Sequence, residues 1–158
     1  MPKRTENLLV PIQGVVPGDG KTLTITWEDG YRASLDLAGT IRAYAAYAPL
    51  DDDARFRSVA VAEDRWGVDF GQDLEMTTDM LRRMALEQAG ELMPVEAFRH
   101  WRAVHRLSMA AAARELGISP RSVNYYHAGK RPIPKTIRLA CLGYDASLRG
   151  TGGLRPPS

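Results

Sequence analysis

The side chains that could do chemistry in this sequence crowd into its second half. All three histidines, His100, His105 and His127, lie there, as does Cys141, the sole cysteine. A nucleophile beside a general base is one thing such a set could build. His100 and His105, however, fall five residues apart on one predicted helix and Cys141 falls on an apolar stripe, so we expect no enzymatic activity. One thiol cannot form an internal disulfide and falls short of a thiolate zinc site. The remaining chemistry is electrostatic. Residues 1–92 carry 10 Lys and Arg against 16 Asp and Glu, a net charge of −6, whereas residues 93–158 carry 11 against 3, a net charge of +8. So basic a segment is the footprint of a nucleic-acid partner, but it also suits an acidic protein or a membrane surface. Charge alone leaves the partner open.

The elements that must position these residues differ between the halves. In the first, an apolar stretch from Leu8 to Val16, weakened by Gly14, reads as a strand ending in the turn Pro17-Gly18-Asp19-Gly20. Leu23, Ile25 and Trp27, then Tyr31, Ala33, Leu35 and Leu37, alternate with polar residues on either side of Asp29-Gly30. That spacing predicts a hairpin with a two-residue type I′ turn. Leu37–Tyr47 reads as a short helix. A second hairpin is expected with Phe56, Val59 and Val61 leading through Glu63-Asp64 to Trp66, Val68 and Phe70. Thr77 or Thr78 caps a helix carrying Met76, Met80, Leu81, Met84 and Ala85 at helical spacing and closing near Gly90. Asp51-Asp52-Asp53 lacks the alternate oxygens and central glycine of a calcium loop and reads as a solvated loop. The methionine row reads as helix core. We expect no metal and no cofactor.

From Pro94 onward the pattern is wholly helical. Pro94 suits a first turn, Ala97, Phe98, Trp101 and Val104 form a predicted buried stripe, and Arg99, His100, Arg102 and Arg106 point outward, with Leu107 closing the helix. Ser108 caps a second helix, Met109–Leu116, rich in alanine. Gly117 follows where a positive φ is wanted, and Ser119 caps a third helix over residues 119–128 with Pro120 at its first position. Val123 and Tyr126 should face inward.

The segment from Leu107 to Tyr126, followed by His127-Ala-Gly-Lys-Arg-Pro-Ile-Pro134, resembles the phage-repressor-like helix-turn-helix family over roughly residues 94–144. Such a motif needs a small residue where its helices cross, here Ala113, a turn glycine, here Gly117, and apolar residues at Ile118 and Val123. Ile133, Ile137, Ala140 and Cys141 then form the stripe of a fourth helix. The resemblance implies that the third helix enters the major groove of double-stranded DNA. Its outward side chains, Arg121, Asn124 and Tyr125 with Ser122 at the margin, would then read bases, with Arg121 donating twice to guanine. Lys130 and Arg131 would hold phosphates. Where many repressors anchor a phosphate with glutamine this chain has Met109, which leaves Ser108 and the backbone N–H groups of the helix start for that task. One helix reads few base pairs, so a homodimer is implied.

Leu23–Asp36 with Asp29-Gly30 at its centre, Leu50-Asp51 leading to Phe56, and Trp66–Leu81 are similar to an uncharacterised bacterial family, domain of unknown function 2442. That likeness implies architecture, and no catalytic residues. At 158 residues, 44% hydrophobic and 25% charged, the chain is of globular composition and suits one domain or two small ones. We expect an α+β module over 1–90 that dimerises or binds a ligand or partner protein, an all-α helix-turn-helix domain over 91–146, and a disordered Gly- and Pro-rich tail over 147–158. No apolar run reaches membrane-helix length, so the expected location is the cytoplasm, away from membranes. The expected function is transcriptional regulation. The alternative is a protein-interaction adaptor, or an antitoxin-like component whose first domain holds a partner.

Overall fold

In the computed structural model, which describes Thr5 and residues 7–150, the chain divides into two compact units with the boundary between Gln88 and Ala89. The whole is mixed α and β with small antiparallel sheets. Among the described residues no helix is long and apolar enough to cross a membrane.

The first unit opens with β1 (Ile12–Pro17), β2 (Thr22–Trp27) and β3 (Arg32–Asp36), an antiparallel sheet in that order. The alternation in β2 is strict: Leu23, Ile25 and Trp27 are fully buried while the threonines between them are half-buried. The register slips between Ile12 and Gly14, a bulge that leaves Gln13 unpaired next to the glycine. The turn differs from expectation. Trp27 N–H donates to the Tyr31 carbonyl at 2.8 Å and Gly30 N–H to the Trp27 carbonyl at 3.0 Å, so the loop has three residues, Glu28, Asp29 and Gly30. Gly30 takes a φ of 90° and Asp29 does not join it in that region, as a type I′ turn would require. Asp29 spends its carboxylate on the loop, accepting the Tyr31 N–H at 3.2 Å.

After β3 come α1 (Ala38–Ala43), a 3-10 segment (Ala45–Asp51) and α2 (Asp53–Arg57), shorter pieces than the single helix and loop expected. Pro49 lies inside the 3-10 segment, where no α-helical N–H is available from it. The aspartate run ends one helix and starts the next, with Asp53 paired to Arg57 at 3.0 Å and Lys21 at 3.7 Å. Phe56 is a buried residue of α2, not of a strand. A second antiparallel sheet follows, β4 (Ala60–Val61), β5 (Gly67–Asp69) and β6 (Glu75–Thr77). Trp66 precedes β5 and is partly exposed, and Met76 belongs to β6 rather than to the helix. Helix α3 (Thr78–Gln88) packs Leu81 and Ala85 into the core that β2 begins. Thr78 accepts the buried indole N–H of Trp27 at 2.8 Å and donates to the Val10 carbonyl at 2.6 Å. Arg82, also on α3, is fully buried. Its guanidinium donates to both Asp29 oxygens, at 3.2 and 2.6 Å, and lies over the Trp27 and Tyr31 rings, which stack on each other.

The second unit holds α4 (Val95–Val104), α5 (Met109–Leu116), α6 (Pro120–His127) and α7 (Lys135–Leu148). It is not purely helical: β7 (Leu92–Met93) pairs antiparallel with β8 (Ile133–Pro134). The cause is local. Met93 and Ile133 each precede a proline, which drives the preceding residue out of the helical region, and the two extended residues face each other in the ladder. Ile133 is therefore a buried ladder residue and not the start of the fourth helix. Ser147 and Leu148 belong to α7, so the expected disordered tail does not begin at 147; residues 151–158 lie outside the described residues.

Candidate nucleic-acid interface

Helix α5 is fixed at both ends. The Ser108 hydroxyl accepts the Ala111 N–H at 3.0 Å, and Gly117 closes the helix in the left-handed region with φ 71° and ψ 32°. The Ile118 N–H then reaches back to the Ala113 carbonyl at 3.0 Å. A Cβ on Gly117 would meet nothing within 4 Å, so backbone conformation alone requires the glycine. Gly117→Ala should therefore cost about 1 kcal/mol of stability in urea unfolding without altering the helix packing. No change in midpoint would show that the turn relaxes out of the left-handed region.

Helix α6 starts the same way: Ser119 Oγ accepts the Ser122 N–H at 3.1 Å, and Pro120 occupies the first turn. The Ser122 hydroxyl is held 3.0 Å from that of Ser119, which ties it to the cap rather than to the outer face. Ala112, Ala113 and Val123 are buried in one cluster with Phe98 and Trp101, and Tyr126 sets its ring edge-on to Phe98 at 6.1 Å. Met109, at the start of α5, packs against this cluster.

Opposite Val123, Arg121 and Asn124 are exposed and Tyr125 is half-buried. Asn124 donates one amide N–H to the Pro120 carbonyl of its own helix at 3.1 Å. Arg121 Nε donates to the Tyr125 hydroxyl at 2.8 Å, with its guanidinium 5.2 Å from that ring's centre. Gly129, with φ 73°, ends the helix and turns the chain, and the Lys130 N–H bonds the Tyr125 carbonyl at 2.9 Å. Arg131 thereby comes back over Tyr125, its guanidinium 4.7 Å from the ring centre. Lys130 and Arg131 are both exposed. Arg121, Tyr125 and Arg131 thus meet on one surface, with Asn124 exposed on the same helix and Lys130 exposed beside Arg131; Ser108 caps the neighbouring helix.

Two arginines expected to point outward also reach back to backbone carbonyls. Arg99 Nε donates to the His127 carbonyl at 2.7 Å, and an Arg102 amino group donates to the Leu107 carbonyl at 2.8 Å. Both satisfy carbonyls at a helix end or turn that lack intrahelical partners. Arg99 anchors the far end of α6 to α4, a role with no local sequence signature because the partners are 28 residues apart. Burial, then the charges of Arg102 and Arg99, hold the His127 imidazole below its ordinary pKa. Along α4, Phe98 and Trp101 are buried as expected, but Ala97 and Val104 are exposed.

The remaining reactive groups meet elsewhere. His100, His105 and Cys141 line one groove between α4 and α7, while His127 does not. His105 Nε2 sits 2.6 Å from Asp145, which also accepts the Trp101 indole N–H at 3.0 Å. Burial, assisted by the Asp145 charge, pushes the Cys141 thiol up to about 12, so it is protonated at neutral pH. Among the described residues no group of three or more His, Cys, Asp and Glu could hold a metal ion.

No protein-family model matches the chain, and no curated protein does. A crystal structure from Nitrosomonas europaea ATCC 19718, described as a putative DNA binding protein, matches with 34% sequence identity and a TM-score of 0.54, over 96% of this chain and 97% of that one. With that identity across nearly the full length of both chains, the protein belongs to the same family as the Nitrosomonas europaea protein.

Proposed function

We propose that this protein binds double-stranded DNA in the major groove through α6, as a sequence-specific transcriptional regulator with a phage-repressor-like helix-turn-helix. The observation that carries this reading is the division of α6 into two faces. Val123 is sealed in the core, while Arg121, Asn124 and Tyr125 stand on the other side with Lys130 and Arg131 at the helix end. The outer face is rich in donors and positive charge, as phosphates and guanine edges require. The description of the Nitrosomonas europaea relative supports the same partner. In this reading the protein works in the cytoplasm as a homodimer, its first unit, similar to domain of unknown function 2442, serves dimerisation or sensing, and no catalysis is involved.

Fluorescence anisotropy of the wild type and Arg121→Ala, on a random-sequence duplex pool and on the DNA upstream of the protein's own coding region, tests this across a salt titration. Wild-type affinity should fall steeply with salt, from counterion release. Arg121→Ala should lose about 1–3 kcal/mol of sequence preference while keeping most of the salt slope. Absence of binding to either DNA at low salt would overturn the reading and point to a protein partner.

A further inference from the structure

Two guanidinium groups repel each other, yet Arg121 and Arg131 stand over the same phenol ring, 5.2 and 4.7 Å from its centre. The negative π face of Tyr125 attracts both and offsets that repulsion. The hydrogen bonding is one-sided as well. Arg121 gives its Nε proton to the Tyr125 oxygen, which leaves the two terminal amino groups of Arg121, the guanidinium of Arg131 and the Tyr125 hydroxyl proton as donors. Among the described residues, neither arginine has a carboxylate within ion-pair distance. We infer that Tyr125 is a positioning residue that makes Arg121 and Arg131 one coupled two-guanidinium clamp on DNA, rather than two independent contacts.

This rests on the DNA-binding reading and adds to it a dependence between residues on either side of Gly129. The turn at Gly129, bonded through Lys130 N–H to the Tyr125 carbonyl, is what returns Arg131 to the helix. A ligand suited to the clamp offers acceptors and negative charge together, as duplex DNA does along its phosphates and guanine edges. Held close by the ring, the two like charges repel in the free protein, and a polyanion that neutralises both relieves a repulsion that is already gone once either arginine is removed.

The test is a double-mutant cycle on the random-sequence duplex pool at fixed salt, with Arg121→Ala, Arg131→Ala and the double variant, repeated in the Tyr125→Leu and Tyr125→Phe backgrounds. With Tyr125 present, the double variant should bind about tenfold more tightly than the product of the single losses predicts. Tyr125→Phe, which keeps the ring, should retain that coupling, and Tyr125→Leu should abolish it. A role of Tyr125 in helix packing alone would lower affinity without any such coupling. Multiplicative losses in the wild-type background would overturn the clamp while leaving DNA binding intact, and this first cycle does not require any Tyr125 variant to fold. A wild type that binds no duplex would overturn both.

Discussion

Replacing Asp29 with alanine should cost the first unit about 3 kcal/mol, as the loss of one partner of a buried ion pair does. The loss lies at the low end for such pairs because Asp29 is itself 38% exposed, whereas the Arg82 side chain is fully buried. The variant takes away the two carboxylate oxygens to which the buried guanidinium over Trp27 and Tyr31 donates. Arg82→Met, which removes the cation and fills similar space with apolar atoms, should cost distinctly less. Urea unfolding followed by circular dichroism measures both, and a loss under about 1 kcal/mol for Asp29→Ala would show that water reaches the guanidinium. The pair also predicts acid sensitivity. Burial by itself would raise the Asp29 carboxyl, but the Arg82 hydrogen bond, the Tyr31 N–H and the Arg82 charge outweigh it and hold it below the ordinary value of 3.8. A carboxyl held low in the folded state contributes stability that is complete above 3.8 and is lost as pH falls through the lowered value. Asp29→Asn lacks that titration, so its deficit against the wild type should narrow in the same acid range.

Ala113→Leu should be comparably damaging, and in the other unit. Ala113 is 3% exposed where α5 meets α6, and its carbonyl already accepts the Ile118 N–H that shapes the turn. Three added carbons cannot fit without moving one helix, at a cost of about 3 kcal/mol. A shift between α5 and α6 displaces the outer face of α6, so DNA affinity should fall although no side chain of that face is altered. Ala110→Leu, on the exposed side of the same helix, is the control and should change neither property. A wild-type melting temperature for Ala113→Leu would mean that the helices cross elsewhere.

Much of the helical unit was legible because its signals are local. Ser108, Gly117, Ser119 and Pro120 each act on the few backbone groups next to them, so the residue type alone announces the helix end. The hairpin around Asp29-Gly30 was legible for the same reason, but its loop length was not. Asp-Gly serves both a two-residue turn and a three-residue loop, and the anchoring of Asp29 by Arg82 comes from 53 residues away. Periodicity misassigned Met76, because spacings of four link it to Met80 and Met84 whether or not the helix has begun. It also missed the carbonyl partners of Arg99 and Arg102. A helical wheel gives the direction of a side chain at its root, while a guanidinium on a long stem can fold back to a carbonyl. At the candidate interface, the outward placement of Arg121 and Asn124 followed from their phase against Val123. The meeting of Arg121 and Arg131 over Tyr125 did not, since it depends on the turn made at Gly129.

The pairing of β7 with β8 gives the second unit a boundary that its helices do not mark. A fragment cut to begin at Pro94 would keep α4, α5, α6 and α7 whole, yet it would lose Leu92 and Met93, one rail of the ladder and part of the cover over Ile133. Ile133 is buried and precedes the helix whose Ile137 and Cys141 complete the core, so the missing strand would expose the packing under α7. Any excised version of this unit therefore has to start no later than Leu92, three residues upstream of Val95, where the first helix begins.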